Sequence, residues 1–379
     1  MTIPLTLDLF CRVVDNYGDI GVCWRLARQL AAEHGVAVRL YVDDLASFHR
    51  ICAAVDIAAD VQHLQGVTVR RWHEDMAGEA VADAVIEAFG CELPAVTLAA
   101  MAARHRAPVW INLEYLSAED WVAGCHALPS PHPQLPLTKY LFFPGFDAGT
   151  GGLLEEAGLA GRRAAFAADP GRQAAFLAGI GVHPAPGECL MSLFCYPAAP
   201  VAALLSALAE DARPSLMLVP EGVAGTALSG RAGRALKPGD VIRQGSLTLQ
   251  AVPFLDQADY DLLLWCCDLN FVRGEDSMVR AQWAEKPFIW HIYPQQEDAH
   301  RVKLDAFLDR FADGLAPEAA RACRATWHAW NGDGDMGAAW PAFRDALPAL
   351  RAHLPGWAAQ LRRQGNLAAN LMAFIRQAG

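Results

Sequence analysis

At 379 residues, with 53% hydrophobic and 19% charged side chains, the chain has material for two folded domains or one large one, and its composition excludes disorder. A formal charge of -11 argues against a nucleic-acid binder, which needs a basic face, and disfavours an anionic membrane surface. No apolar stretch is long enough to span a bilayer. The first residues, Met1-Thr2-Ile3-Pro4, lack a basic segment followed by an apolar run, so a cytoplasmic protein is expected.

Residues 5–14 read as a first strand, with leucines on alternate positions. The turn Asp15-Asn16-Tyr17-Gly18-Asp19-Ile20-Gly21 follows, then a helix through Trp24, Leu26 and Leu30. Residues 36–42 form a second strand, ended by Asp43-Asp44 and a short helix around 45–54. Residues 67–72, 84–89 and 108–113 are further strands, with a helical segment at 96–104. Such strand-helix alternation predicts a parallel sheet covered on both faces. Residues 124–137 are a proline-rich loop, 140–143 a short strand and 145–152 a flexible loop with four glycines. An alanine- and arginine-rich stretch to about 181 bridges to a second alternating series.

That series has strands at 189–196, 215–219 and 247–252, helices at 201–210 and 257–264, and a glycine-rich loop at 222–240. A buried strand, 269–272, then delivers Arg273-Gly274-Glu275-Asp276-Ser277 before an amphipathic helix and a last strand, 288–292. The remainder is helical, with breaks near 332–337 and at Pro355-Gly356. The expected domains are 1–165 and 182–354, both Rossmann-like and doubly wound, with the final helix, 357–379, packing back on the first. Two such domains facing each other place a ligand cleft between their strand ends.

A strand, a charged glycine turn and a helix N-terminus make an anion-binding corner. Asp276 or Ser277 suits the N-cap and Gly274 the turn, but capping does not explain Arg273 and Glu275 at the carboxyl end of a strand. A nucleotide diphosphate needs a cation, backbone N–H groups and a hydroxyl at one place, so Arg273 and Ser277 are assigned to phosphate and Glu275 to a sugar or acceptor. In the first turn, Asp15 and Asp19 stand four residues apart, within reach of one small volume, and the glycines let backbone approach a ligand. An aspartate cap with a glycine turn explains that segment equally well. Phe254 with Gln257 could hold a flat base, and Tyr196 ends a strand nearby, although either aromatic suits a core. His291 reads as a core histidine, and His300 after Gln295-Gln296-Glu297-Asp298 as part of a solvated run. Asn112 and Glu114 end a strand and either reach the cleft or satisfy loop backbone. The ten cysteines, Cys266-Cys267 included, read as reduced thiols, and no zinc spacing, nucleophile elbow or phosphate-binding Walker loop is present.

Three blocks carry a resemblance: residues 15–28 (Asp-Asn-Tyr-Gly-Asp-Ile-Gly-Val-Cys-Trp-Arg-Leu-Ala-Arg), residues 113–119 (Leu-Glu-Tyr-Leu-Ser-Ala-Glu), and residues 273–282 with Trp290-His291-Ile292-Tyr293-Pro294-Gln295. In this order, over nearly the full length, they resemble the bacterial protein-arginine rhamnosyltransferases of elongation factor P, with Cys23 where a small residue such as Ser is expected. The resemblance implies a GT-B fold and an inverting transfer of rhamnose from dTDP-β-L-rhamnose to one arginine in the N-terminal domain of elongation factor P, with no cofactor and no metal. It assigns Asp19, Glu275 and Asp15 to catalysis. Donor binding falls to Tyr196, Phe254, Gln257, Arg273, Gly274, Asp276 and Ser277, with Asn16, Tyr17 and Gly18 also lining the substrate site. The alternatives are a GT-B enzyme for another acceptor or nucleotide sugar, and a non-catalytic module that binds elongation factor P. A nicotinamide dehydrogenase is disfavoured, because no Gly-x-Gly-x-x-Gly follows the first strand.

Overall fold

The computed structural model describes residues 5–73, 80–225, 228, 233–295 and 299–379. The chain divides into two compact units, Met1–Ala157 with Gln360–Gly379, and Gly158–Ala359. The first unit contains β1 (Thr6–Cys11), α1 (Gly18–His34), β2 (Ala37–Val42), α2 (Leu45–Ile51), β3 (Val61–Leu64) and β4 (Val67–Arg71). There follow β5 (Ala84–Ala88), α3 (Ala95–Ala102), β6 (Val109–Leu113), α4 (Val122–Cys125), β7 (Pro129–Pro131) and β8 (Thr138–Phe142). Its sheet has the order β3-β4-β2-β1-β5-β6-β8-β7, parallel except for the two edge hairpins. Strands β1, β5 and β6 are buried along nearly their whole length, as parallel strands covered on both faces must be. The one acidic residue inside β1, Asp8, is neutralised by its register partner on β2: Arg39 donates to both carboxylate oxygens at 2.5 and 2.7 Å.

The edge strands β3 and β7 lie outside the strands expected from the sequence. β3 is half-solvated, with two polar residues in four, and β7 has two prolines in three residues, which only an edge tolerates. The loop 145–152 is not flexible but folded upon itself. Gly151 N–H donates to Phe143 at 2.7 Å, Gly145 N–H donates to Gly152 at 3.2 Å, and a Cβ on Gly152 would lie 2.6 Å from the Gly365 carbonyl.

The second unit begins at Gly158, ahead of the boundary expected at 165. The bridging stretch is two helices, α5 (Leu159–Ala167) and α6 (Pro170–Gly179), which pack on this unit's α8 (Gln257–Cys266). Its other elements are β9 (Cys189–Leu193), α7 (Val201–Glu210), β10 (Ser215–Pro220), β11 (Val241–Gln244), β12 (Leu247–Val252), β13 (Leu269–Arg273), α9 (Asp276–Ala284) and β14 (Phe288–His291). The sheet order is β11-β12-β10-β9-β13-β14, with only β11 antiparallel. Of the expected loop 222–240, residues 226, 227 and 229–232 lie outside the described residues.

Helices α10 (Ala299–Phe311) and α11 (Pro317–Trp330) precede α12 (Met336–Arg362), which runs through Pro355-Gly356 without the expected break. Its three prolines, 341, 348 and 355, recur every seven residues and all face solvent, while Phe343, Leu350, Leu354 and Trp357 bury the other side. Each proline removes one helical hydrogen bond on the side where a curved helix already stretches them, and core packing offsets the loss. Trp357 stays with the second unit, donating to Gln282 at 2.8 Å, rather than starting the returning helix. The segment that joins the first unit is α13 (Leu367–Ala378), capped by Asn366, whose Oδ1 accepts from Ala369 N–H at 2.9 Å. Asn370 on α13 donates to Gly151 at 3.0 Å, and Phe374 packs edge-on against Tyr140.

At Gly152 (φ +74°), alanine meets both the positive φ and the Gly365 carbonyl. Gly152→Ala is expected to cost roughly 2–4 kcal/mol, read by urea unfolding. Gly222→Ala, with a positive φ but nothing within 4 Å of the added carbon, is expected to cost about 1 kcal/mol.

Candidate active site

In each sheet the strand order reverses once, and there the loops at the carboxyl ends diverge and leave a crevice. In the first unit the reversal is at β1, between β2 and β5, so the loop after β1 lies on it. In the second it falls between β9 and β13, and the loops after these two strands carry Phe194 to Tyr196 and Arg273 to Ser277.

The loop after β1 is organised by Asp19. Its Oδ2 accepts the N–H groups of Val14 and Asp15, each at 2.8 Å. Among the described residues, no hydrogen bond engages its Oδ1. Asp19 is buried, and burial pushes its carboxyl above the ordinary aspartate range; the two N–H groups oppose that rise, and the charges of Asp15 and Asp43 add to it. Asn16 has φ +30°, and Gly18 N–H donates to the Asp15 carbonyl at 2.6 Å. A Cβ on Gly18 would stand 2.5 Å from an Asp15 carboxylate oxygen, so a larger residue there would push that side chain aside. Tyr17 sits at the N-cap of α1 without a side-chain cap bond. This single turn therefore gathers Asp15, Asn16, Tyr17, Gly18 and Asp19. Beneath it, the Cys23 thiol on α1 hydrogen-bonds that of Cys11, and this contact together with burial raises the pKa of Cys11 well above its usual value.

The second corner is built around Arg273. Its guanidinium lies 4.6 Å from the ring centre of Phe194 and 4.7 Å from that of Tyr196, and donates to the Cys195 carbonyl at 3.3 Å. Two aromatic faces on one cation fix its plane. The Gly274 turn (φ +60°) is held from both sides: its N–H donates to His291 at 3.2 Å, and its carbonyl accepts the Trp290 indole N–H at 2.8 Å. Phe254 is half-buried and meets Phe194 edge-on, while Tyr260, absent from the sequence candidates, also packs against Phe194.

Ser277 and Asp276 do not cap α9 as expected. The residue at the N-cap is Glu275, with no side-chain cap bond. Ser277 turns its hydroxyl back on Arg273, accepting that N–H at 3.1 Å and donating to that carbonyl, so it braces the turn. Asp276 accepts from Gln257 at 3.0 Å and from Arg280 at 2.9 Å. Buried Arg280 also donates to Asp261 at 2.9 Å, which makes it the centre of a polar network that the sequence reading missed. Its signal was present, since Arg280 stands four residues after Asp276 on one helix.

His291 is a core histidine whose Nδ1 accepts the Tyr196 N–H at 3.2 Å. His300 is buried rather than solvated, accepting from Gln295 N–H at 3.2 Å; residues 296–298 of that run lie outside the described residues. Asn112 satisfies Gly90 N–H at 3.1 Å and donates to Glu114. Among the described residues, no group of three His, Cys, Asp or Glu side chains could hold a metal, and no helix is long and apolar enough to cross a membrane.

A family model described as elongation-factor P (EF-P) rhamnosyltransferase EarP matches residues 7–376. The chain belongs to the EarP family. A protein-arginine rhamnosyltransferase of Pseudomonas putida is 52% identical over 98% of both chains, and one of Neisseria meningitidis is 35% identical over 99% of this chain and 98% of the relative. A solved structure described as the basis for EarP-mediated arginine glycosylation of translation elongation factor EF-P superposes with a TM-score of 0.72 at 40% identity, over 99% of this chain and 100% of that one. The paired doubly wound units are thus those of a GT-B enzyme, as the sequence led us to expect.

Burial, then the neighbouring Arg273 and His300, drives the His291 pKa down from 6.5 to about 4. The unfolded chain takes up this proton as pH falls through about 6.5, whereas the folded chain resists until about 4. Stability should therefore fall by about 3 kcal/mol across that window through this residue alone. In urea unfolding between pH 7 and 4, His291→Gln is expected to show a flatter pH slope than the parent. Equal slopes would mean that His291 is protonated in the fold.

Proposed function

We propose that the chain transfers L-rhamnose from dTDP-β-L-rhamnose, with inversion, to one arginine in the N-terminal domain of elongation factor P, in the cytoplasm. Its family already makes it a protein-arginine rhamnosyltransferase acting on elongation factor P. The dTDP-β-L-rhamnose donor and the inversion are what the family resemblance implies, and the residue roles rest on the chemistry that follows.

An arginine guanidinium has a pKa above about 12, and its lone pairs are delocalised into the cation, so it attacks poorly unless a base takes a proton as the bond forms. The observation that carries the proposal is the buried carboxylate of Asp19, pinned through one oxygen and made more basic by burial. Asp19 accepts the guanidinium proton while the nitrogen bonds to the anomeric carbon of rhamnose. The bond from that carbon to the diphosphate oxygen breaks on the opposite face, which inverts the centre, by analogy with inverting glycosidases. Asp15 holds the loop, and Glu275 orients the acceptor or the sugar by hydrogen bonds.

The leaving dTDP carries the bond's electron pair away and is met by Arg273, the Gly274 turn and the first N–H groups of α9, with no metal required. Ser277 contributes by fixing that turn. Phe254, Tyr196 and Gln257 hold the nucleotide. Asp276 stays from opposing the diphosphate because Arg280 and Gln257 engage its carboxylate.

Incubation with dTDP-β-L-rhamnose and elongation factor P should add one deoxyhexose to the factor, read by intact mass. Asp19→Asn and Glu275→Gln are each expected to lower transfer by at least about 10²–10⁴-fold while dTDP still binds. Loss of dTDP binding in both variants would overturn this allocation of roles. Because burial disfavours the Asp19 charge, Asp19→Asn should unfold at no lower urea concentration than the parent.

A further inference from the structure

The second unit has a cavity that the transfer reaction does not use. It measures about 370 Å³ and opens between α12 and the amino ends of β9, β10 and β13, at the sheet edge opposite the Arg273 corner. Its apolar wall is formed by Met191, Trp340, Leu347 and Pro348. Its polar groups are three arginines, 213, 344 and 351, and three acids, Glu188, Asp211 and Asp268.

Formal charge balances, but the hydrogen bonds do not. Asp211 is saturated by protein donors: Arg213 N–H at 3.0 Å, Arg344 at 2.9 Å and the Trp340 indole at 3.1 Å. Against the cost of burial, these donors hold its carboxyl below the ordinary range. Glu188 accepts the Ala185 N–H at 2.7 Å, and Asp268 accepts the Leu190 N–H at 3.1 Å. Arg344 is shared between Asp211 and Asp345. That leaves Arg213, whose guanidinium has no hydrogen bond or ion pair among the described residues. Arg351 has only a loose contact with Asp268, at 3.5 Å. The acids are committed to backbone and indole donors, and the cavity retains a surplus of guanidinium N–H groups beside an apolar wall.

We propose that this cavity is a second binding site, separate from the donor corner, for a small oxyanion carried on an apolar body, with the oxyanion held by Arg213 and Arg351 and the body lying against Trp340, Leu347 and Pro348. Guanidiniums pair carboxylates and phosphates through parallel N–H bonds, and the wall removes an attached ring from water. Trp340 is preorganised for that contact, because its indole N–H is fixed on Asp211.

The test is calorimetric titration of the full chain with phenyl phosphate, in parallel with benzoate, inorganic phosphate and benzyl alcohol. One saturable site for phenyl phosphate or benzoate is expected, and the stronger of the two identifies the oxyanion. Inorganic phosphate should bind more weakly, and benzyl alcohol not at all. Arg213→Ala and Arg351→Ala are each expected to weaken binding by roughly tenfold or more. Both residues are exposed, so thermal unfolding should be unchanged, and Arg273→Ala or excess dTDP should leave the affinity as it was. Absence of saturable binding, affinity unchanged in both arginine variants, or displacement by dTDP would overturn the proposal.

Discussion

The reversal of strand order within each sheet is the constraint from which the rest of the molecule follows. Neighbouring connections of a parallel sheet cover opposite faces only where the order turns, and only there do two carboxyl-end loops part enough to admit a ligand. Both of these points include a residue of positive φ. The loop after β1 has a positive φ at Asn16 and a glycine packed against the Asp15 carboxylate, and the loop after β13 has a positive φ at Gly274. The central strands β5, β6 and β9 are buried along nearly their whole length.

The two corners solve opposite electrostatic problems. In the first unit burial raises the Asp19 carboxyl above the ordinary range, while two backbone N–H groups oppose that rise. In the second a cation is oriented by its neighbours: Arg273 is held by two aromatic faces and a carbonyl, while Asp276 on the same turn is engaged by Arg280. His291 completes the arrangement by staying neutral next to Arg273: a charged imidazole there would repel the guanidinium and lose its acceptor for the Tyr196 N–H.

Much of this was legible in the chain because parallel strands and glycine turns write themselves in short windows. Leucines at 7 and 9 gave β1, and Arg273 beside Gly274 marked the corner, since charge at the end of a buried strand has no structural excuse. What stayed hidden depends on partners distant in sequence. Ser277 has the composition of an N-cap, yet its hydroxyl is claimed by the strand end four residues earlier. Phe194 looks like a core residue until the fold sets it between Arg273, Phe254 and Tyr260. The unbroken α12 defied its prolines because the deciding interactions are tertiary. The loop 145–152 looked flexible because the segment it packs on, 365–370, lies more than two hundred residues away.

For a chain with a formal charge of -11, the proposed diphosphate donor raises a question of range. At physiological ionic strength a charge is felt over about 8 Å, so the net charge of the surface contributes little to what a diphosphate meets inside a crevice. What counts there is a cation within contact distance, N–H groups at the start of a helix, and the absence of an uncommitted carboxylate. The Arg280 network engages Asp276 from within α9, the same helix whose first N–H groups supply the second condition. An overall acidity that argues against a nucleic-acid binder is thus compatible with the proposed local anion site, where the buried guanidinium of Arg280 engages the Asp276 carboxylate.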